Sequence, residues 1–228
     1  MAKHAKLPPS ASNRWMACTA SYEFTKDMPI VESKWAKEGT LAHEALACLM
    51  EHGFVHGILM LDEFFTSDML DYLYLCEDYL KKLKKGSDLF LIEREVTIKP
   101  IEGFGSIDYL VYKDQTLHII DLKYGTSRVK VEDNSQLKLY AYGAYKFLEP
   151  IAVINDIKLH IMQPRLNKNG SFTSYTQDIK DLITWTEYTA QVKAQSALTG
   201  NGVFKAGDWC WFCPGKLNCT HLISQDFD

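Results

Sequence analysis

The strongest chemical signal lies in three side chains on two neighbouring stretches that read as strands. Gly103-Phe-Gly-Ser-Ile-Asp108-Tyr-Leu-Val-Tyr112 leads through Lys113-Asp-Gln-Thr116 into Leu117-His-Ile-Ile-Asp121-Leu-Lys123-Tyr-Gly125. If Asp114-Gln115 makes a two-residue hairpin turn, Tyr112 faces Leu117 and, counting outward, Asp108 faces Asp121. Their Cβ atoms would then stand about 4.5–5.5 Å apart, a destabilising arrangement for two like charges. Leu110 and Tyr112 share the face of Asp108, and Leu117 and Ile119 that of Asp121. In such apolar surroundings the two carboxylates must share a proton or a cation. A hard divalent ion with oxygen ligands resolves the repulsion. Lys123 lies two residues past Asp121 and so on the same face, where its ammonium could steady a nucleophilic water or the charge developing on a phosphate. The bland alternative is an exposed hairpin end with two solvated aspartates, and the apolar run before Asp121 argues against it.

Other residues could complete such a site. Glu93 lies on the preceding strand, and is otherwise an ordinary strand-face charge. His43 falls in Glu38-Gly-Thr-Leu-Ala-His43-Glu44; an imidazole among carboxylates shifts the preferred ion from Mg²⁺ toward Mn²⁺. Gln136 and Tyr140 project from one helix face and could orient Lys123 or bond a phosphate. Alternatively, Asp133-x-x-Gln136 is a capping box and Tyr140 packs. A second constellation is Cys210-Trp-Phe-Cys213-Pro-Gly-Lys-Leu-Asn-Cys219. Three thiolates leave a tetrahedral set one ligand short. His221 would complete a Cys₃His zinc site, whereas distant Cys18 would complete a four-cysteine [4Fe–4S] site. Cys48 and Cys76 fall in apolar helical patterns and read as core residues.

The elements that must hold these groups are legible from periodicity. Ser10 or Ser12 caps a short helix carrying Arg14, Trp15 and Cys18. A second helix starts at Thr40, with His43 in its first turn. Ser67 caps a third, where Met69, Leu73, Cys76, Leu80 and Leu83 recur at helical spacing. Leu89–Ile98, Phe104–Tyr112 and Leu117–Tyr124 read as strands. A helix opened by Asp133 runs through Leu148, followed by a strand over Ile157–Met162 and a turn at Asn167–Gly170. A last helix spans Ile179–Leu198. The expected fold is α/β (α+β), a mainly antiparallel mixed sheet flanked by helices. Residues 1–87 form a helical region, 88–200 the core and 201–228 a cysteine-rich tail, all in a single compact domain.

At 228 residues with 46% apolar and 24% charged side chains, the chain is neither disordered nor fibrous. No apolar run is long enough for a membrane helix, and none follows the amino terminus as an export signal would. The expected compartment is therefore the cytoplasm, where clustered cysteines serve metal or redox chemistry more than disulfides. A net charge of −4 argues against a broad nucleic-acid-coating surface but says nothing about a local groove.

Taken together, Gly-Thr-Leu-Ala-His43-Glu44, Gly-Ser-Ile-Asp108, Ile-Ile-Asp121-Leu-Lys123-Tyr-Gly and Gln136-Leu-Lys-Leu-Tyr140 resemble, in order, the RecB-like branch of the PD-(D/E)XK nuclease superfamily. Asn13–Cys18 and Asp133–Leu137 resemble small phage-type relatives of the CRISPR-associated adaptation exonuclease. The resemblance implies a restriction-endonuclease-like core in which His43, Asp108, Asp121 and the Leu122 carbonyl hold Mg²⁺ or Mn²⁺. Lys123 would be catalytic, supported by Gln136 and Tyr140, and Glu93 matches a frequent acidic position. It also implies a [4Fe–4S] cluster on Cys18, Cys210, Cys213 and Cys219 that joins the chain ends; zinc at Cys210, Cys213, Cys219 and His221 is the alternative. The implied activity is metal-dependent deoxyribonuclease, an exonuclease on single- or double-stranded DNA ends, in the host cytoplasm if phage-encoded. Arg128, Lys130 and Lys138 are candidate DNA contacts, and a homo-oligomer or a recombination partner fits the same reading. The alternative is a weakly active or inactive DNA-binding or decoy protein of the same fold.

Overall fold

The structure is a computed structural model that describes residues 5–29 and 32–223. The amino-terminal residues 1–4, on which the expected lack of an export signal partly rests, and residues 224–228 of the tail lie outside that range. Short helices α1 (Ser12–Ala17) and α2 (Ser21–Thr25) precede the long α3 (Lys34–His52), a single turn α4 (Gly57–Met60) and α5 (Ser67–Lys84). Strands β1 (Leu89–Ile98), β2 (Gly103–Lys113) and β3 (Thr116–Leu122) follow, then α6 (Ser135–Leu148), β4 (Asp156–Gln163) and β5 (Ser171–Gln177). The five strands lie in chain order, antiparallel throughout except where β4 runs parallel to β3 after the α6 crossover. The chain is thus a mixed α/β fold with a five-stranded, mostly antiparallel sheet flanked by helices. Among the described residues, no helix is long and apolar enough to cross a membrane.

Both faces of the sheet are covered. Leu110, Leu117, Ile119 and Ile161 pack against α6, whereas Val111, Ile120, Leu122 and Met162 pack against α3 and α5. Burial on both sides explains why β3 reads as a nearly continuous apolar run. The β2–β3 turn has the expected length: Asp114 and Gln115 both take positive φ (49° and 59°), the conformation of a two-residue hairpin turn. Tyr112 accordingly pairs with Leu117, and the ladder continues in that register to Tyr109 and Ile120.

Several boundaries differ from the sequence expectation. The second expected helix starts at Lys34, not Thr40, because the Ser33 side chain accepts the Ala36 N–H; His43 is therefore mid-helix. Thr66, not Ser67, caps α5 through the Met69 N–H. Asn134, not Asp133, caps α6 through the Leu137 N–H, while Asp133 itself takes a left-handed φ of 53°. Neither Ser10 nor Ser12 caps α1; Ser12 Oγ instead lies 2.7 Å from Ser135 Oγ, and Cys18 sits just past the helix end. The strand expected over Leu117–Tyr124 ends at Leu122, and β5 lies beyond a turn where no strand was expected. Finally, α7 (Ile179–Thr184) and α8 (Gln191–Leu198) are joined by a π-helical stretch, Trp185–Ala190, where one uninterrupted helix was expected. There the buried Thr186 hydroxyl donates to the Leu182 carbonyl, a local bond that competes with regular helix geometry.

The two chain ends meet. Val203 N donates to Thr19 Oγ1 (2.8 Å), Ala20 N to the Val203 carbonyl, and Lys205 N to Cys18 Sγ (3.4 Å). Gly202 makes this approach possible, since any Cβ there would collide with the backbone of Thr19 and Ala20. The tail closes with a short helix α9 (Thr220–Ile223).

Candidate functional site

Three acidic residues stand in one row across β1, β2 and β3. The β1–β2 ladder pairs Ile92 with Tyr109 and Arg94 with Ile107, which sets Glu93 opposite Asp108. One step beyond the Tyr109–Ile120 pair, the β2–β3 register sets Asp108 opposite Asp121. Neither step closes as a ladder pair. Glu93 has a left-handed φ of 47°, a strained conformation for a non-glycine in a strand. Asp108 Oδ2 accepts the Leu122 N–H at 2.7 Å. From α3, His43 Nδ1 reaches to 3.3 Å of the same Asp108 oxygen. One ligand atom each from His43, Glu93 and Asp108 lie within 4.8 Å of one another, close enough to share an ion.

Asp121 lies outside that trio because its oxygens are engaged elsewhere. Gln136 Nε2 donates to its Oδ1 at 2.8 Å, and Lys123 Nζ donates to Gln136 Oε1, also at 2.8 Å. Lys123 Nζ closes the ring as an ion pair 2.8 Å from Asp121 Oδ2. The capping-box alternative for Gln136 is therefore replaced by a bridge between the acid and the amine. Tyr140, one turn along α6, is buried beside Gln136. Leu122, the last residue of β3, is buried on the α3/α5 side of the sheet, with its N–H committed to Asp108.

The charges perturb one another as these contacts require. Burial opposes protonation of His43, but Asp108 and, behind it, Asp121 outweigh it and push the imidazole from 6.5 up to about 9. Burial raises the Asp121 carboxyl, with Asp108 adding to the effect and Lys123 pulling against it. Glu93 is raised by burial of its carboxyl and by Asp108, despite the bond it accepts from Ser106 Oγ at 2.8 Å. Tyr140 is held as a neutral hydroxyl, raised by burial and by Asp121.

Glu93, Asp108, His43 and Lys123 line a groove of about 1210 Å³ bounded by α3, β1 and β2, with Asp121 buried behind it; it is larger than the roughly 300–1,000 Å³ of small-molecule pockets. Of the expected polynucleotide contacts, Arg128 and Lys130 are exposed on the loop after β3. Lys138 is mostly covered: its amine lies 2.6 Å from Asp133 and 5.2 Å from the Trp185 ring centre. Where the tail meets the amino-terminal helices, Cys18 is buried and its thiol is raised by that burial, with Cys210 and Cys213 of the tail near enough to act on it. Arg14 Nη1 lies 4.0 Å from Cys213 Sγ, and Cys18, Cys210, Cys213 and Cys219 line one small pocket.

Two solved structures match this chain over most of its length. One, from Eubacterium rectale, bears the provisional name of exonuclease. It is 10% identical, covers 93% of this chain and 87% of that one, and superposes with a TM-score of 0.54, a likeness of fold. The other, SSO0001, is 13% identical over 93% of this chain and 95% of that one, with a TM-score of 0.36. The family described as Protein of unknown function (DUF2800) matches residues 4–228, and the chain belongs to it.

Proposed function

We propose that the protein is a divalent-metal-dependent deoxyribonuclease of the RecB-like PD-(D/E)XK kind, an exonuclease at DNA ends that works in the cytoplasm. Residues 1–87, 88–200 and 201–228 act in it as one working unit. The observation that carries this reading is the convergence of His43, Glu93 and Asp108 beside the Asp121–Lys123–Gln136 ring in an open groove. The donor set suits Mn²⁺ or Mg²⁺: hard carboxylate oxygens with one imidazole nitrogen, gathered within 4.8 Å of one another. His43, Glu93 and Asp108 would hold the ion, with Asp121 and the Leu122 carbonyl beside them. A bound ion supplies polarisation of the scissile phosphate and a more acidic attacking water. Lys123 contributes a fixed positive charge where negative charge develops on the phosphate. Gln136 holds that amine against Asp121, and the neutral Tyr140 hydroxyl backs Gln136.

At the chain ends, Cys18, Cys210, Cys213 and Cys219 are proposed to hold a [4Fe–4S] cluster. Zinc on Cys210, Cys213, Cys219 and His221 fits less well. A tetrahedral zinc keeps its sulfurs about 3.8 Å apart, whereas among the described residues no cysteine trio has all its ligand atoms within 4.8 Å. His221, moreover, stacks on Phe204 with ring centres 4.4 Å apart.

The test is cleavage of end-labelled single- and double-stranded DNA with Mn²⁺, with Mg²⁺ and with a chelator. Asp108→Asn, Asp121→Asn and Lys123→Met are each expected to lower the rate by about 10²–10³-fold. Cutting that survives the chelator, or variants as active as wild type, overturns the proposal; DNA binding without cutting favours the decoy alternative. Anaerobic purification should give a brown protein absorbing near about 400 nm, and a colourless, zinc-loaded one removes the cluster.

A further inference from the structure

We infer that Trp35 and Phe212 are aromatic platforms on which unpaired bases of a single DNA strand stack as its backbone passes His43 and Lys123. This rests on the nuclease reading above and assigns the form of its substrate. The two residues come from opposite ends of the chain: Trp35 from the first turn of α3, Phe212 from within the Cys210–Cys213 turn. Both stand in water, Trp35 64% and Phe212 91% exposed, although large aromatic side chains are usually among the better-buried residues. They line one groove of about 520 Å³ whose floor includes His43, Leu122 and Lys123. Trp35, His43 and Lys123 also line the larger groove containing Glu93 and Asp108. The two depressions therefore meet at Trp35, His43 and Lys123, and a strand lying along them would run past Phe212 and Trp35 to the candidate metal ligands.

The remaining wall suits a phosphate backbone. Gly125, Thr126 and Ser127 are exposed on a loop that the buried Gln163 fixes, accepting the Val129 N–H at 2.9 Å and donating to the Ser127 carbonyl at 2.8 Å. Arg128 sits in the same loop, exposed, and Lys34 lies 4.5 Å from the Trp35 ring centre. Exposed aromatic rings interleaved with cations and a fixed backbone loop are the elements of a single-strand groove, where each base offers a face to stack. Duplex DNA keeps those faces within its own stack. The position of Phe212 has a further consequence: the turn bearing two of the clasp cysteines is also a wall of this groove.

The test is binding of an unstructured oligodeoxynucleotide, and of an abasic strand of equal length, in Ca²⁺ by fluorescence anisotropy. Trp35→Ala and Phe212→Ala should each weaken binding of the normal strand by about five- to a hundredfold, Trp35→Phe should retain most of it, and all four proteins should bind the abasic strand equally weakly. Alanine variants that bind the normal strand like wild type overturn the inference. So do variants that weaken both strands alike, or a wild type that binds neither. Hydrolysis of bis(p-nitrophenyl) phosphate with Mn²⁺, which needs no flanking base, reports the nuclease reading separately. A wild type that hydrolyses the ester but shows no base-dependent binding refutes only the platforms. One that binds through them and hydrolyses neither ester nor DNA refutes only the nuclease.

Discussion

Replacing Gln136 with leucine removes the one side chain bonded to both Asp121 and Lys123 while keeping nearly the same volume. Asp121 is 2% exposed, so water cannot take over the donor that its Oδ1 loses. A hydrogen bond to a buried charged group contributes about 1.5–3 kcal/mol, and its loss leaves the acceptor desolvated without a partner. The amine of Lys123 is partly exposed and can rehydrate, so its side of the bridge adds little. The expected cost is therefore about 2–3 kcal/mol, carried mostly by the carboxylate. In urea, with a slope of about 1–3 kcal/mol per molar, the unfolding midpoint should fall by roughly 1 M at unchanged slope. The assignment is sharpened by a cycle with Asp121→Asn: without the carboxylate, Gln136→Leu should cost at least about 1 kcal/mol less than in wild type. An unchanged midpoint, or additivity within about 0.5 kcal/mol, would falsify the claim that Gln136 acts through Asp121.

Metal affinity should rise with pH. His43, pushed up to about 9, is protonated at neutrality and must lose its proton to become a ligand. Mn²⁺ titrations between pH 6 and 8 should therefore tighten by about tenfold per unit, and the slope should flatten in His43→Gln; a pH-independent wild type rules this out. Acid should also weaken the fold through a buried pair, in which His160 bonds Tyr79 (2.8 Å) and His118 (3.0 Å). Burial lowers His118 to about 4 and His160 to about 3 from 6.5. Their contribution is thus complete above about 6.5 and lost as pH falls through 4 and 3. Between pH 7 and 5 the wild type should lose about 2–4 kcal/mol more than a His118→Asn/His160→Gln variant, about 2 from His160 and less from the more exposed His118, and equal losses in urea melts count against it. Gly202→Ala should cost about 1–3 kcal/mol by overpacking against the backbone of Thr19 and Ala20. It should also speed proteolysis of the tail, and wild-type resistance would mean that the chain ends are not latched there.

The acid pair and the amine are readable in sequence because a two-residue turn leaves only one register, and register fixes which side chains share a face. Asp114 and Gln115 both take the positive φ that this turn demands, though neither is the glycine that would have advertised it. Gln136 and Tyr140 are readable as a helical pair, but not which of two roles Gln136 takes. That choice depends on whether Asp133 or Asn134 caps α6, a one-residue difference that local pattern does not resolve. Glu93 is the least legible member of the site, since a left-handed kink inside an apolar strand has no sequence signature. The trio close enough to share an ion nevertheless includes it, while Asp121 is drawn toward Lys123 and Gln136. Strand β5 escapes notice because Ser171–Gln177 mixes small polar residues with only two aromatics. The exposure of Trp35 and Phe212 is a tertiary fact, since the same rings in the same sequence could have packed.

Charge balance is the physical argument for the cation proposed at the acidic row. With His43 protonated, two positive groups, His43 and Lys123, face three carboxylates, Glu93, Asp108 and Asp121, leaving one negative charge in excess. Burial is the main cause of the upward shifts of Glu93 and Asp121, and the repulsion from Asp108 adds to both. Neutralising Asp108 alone would relieve both neighbours, because Asp108 raises each of them and is also the group that holds His43 charged. It is therefore the hub of the row, and Asp108→Asn should disturb more than one missing ligand would. The imidazole would lose the main reason for its raised pKa, Glu93 and Asp121 would ionise more easily, and the demand for a cation would fall. A fold selected only for stability would gain by such a substitution, as replacing a strained buried charge often does. Retaining three acids in line, with Glu93 strained and an amine alongside, is the arrangement expected where stability is given up for a bound cation and the chemistry it supports.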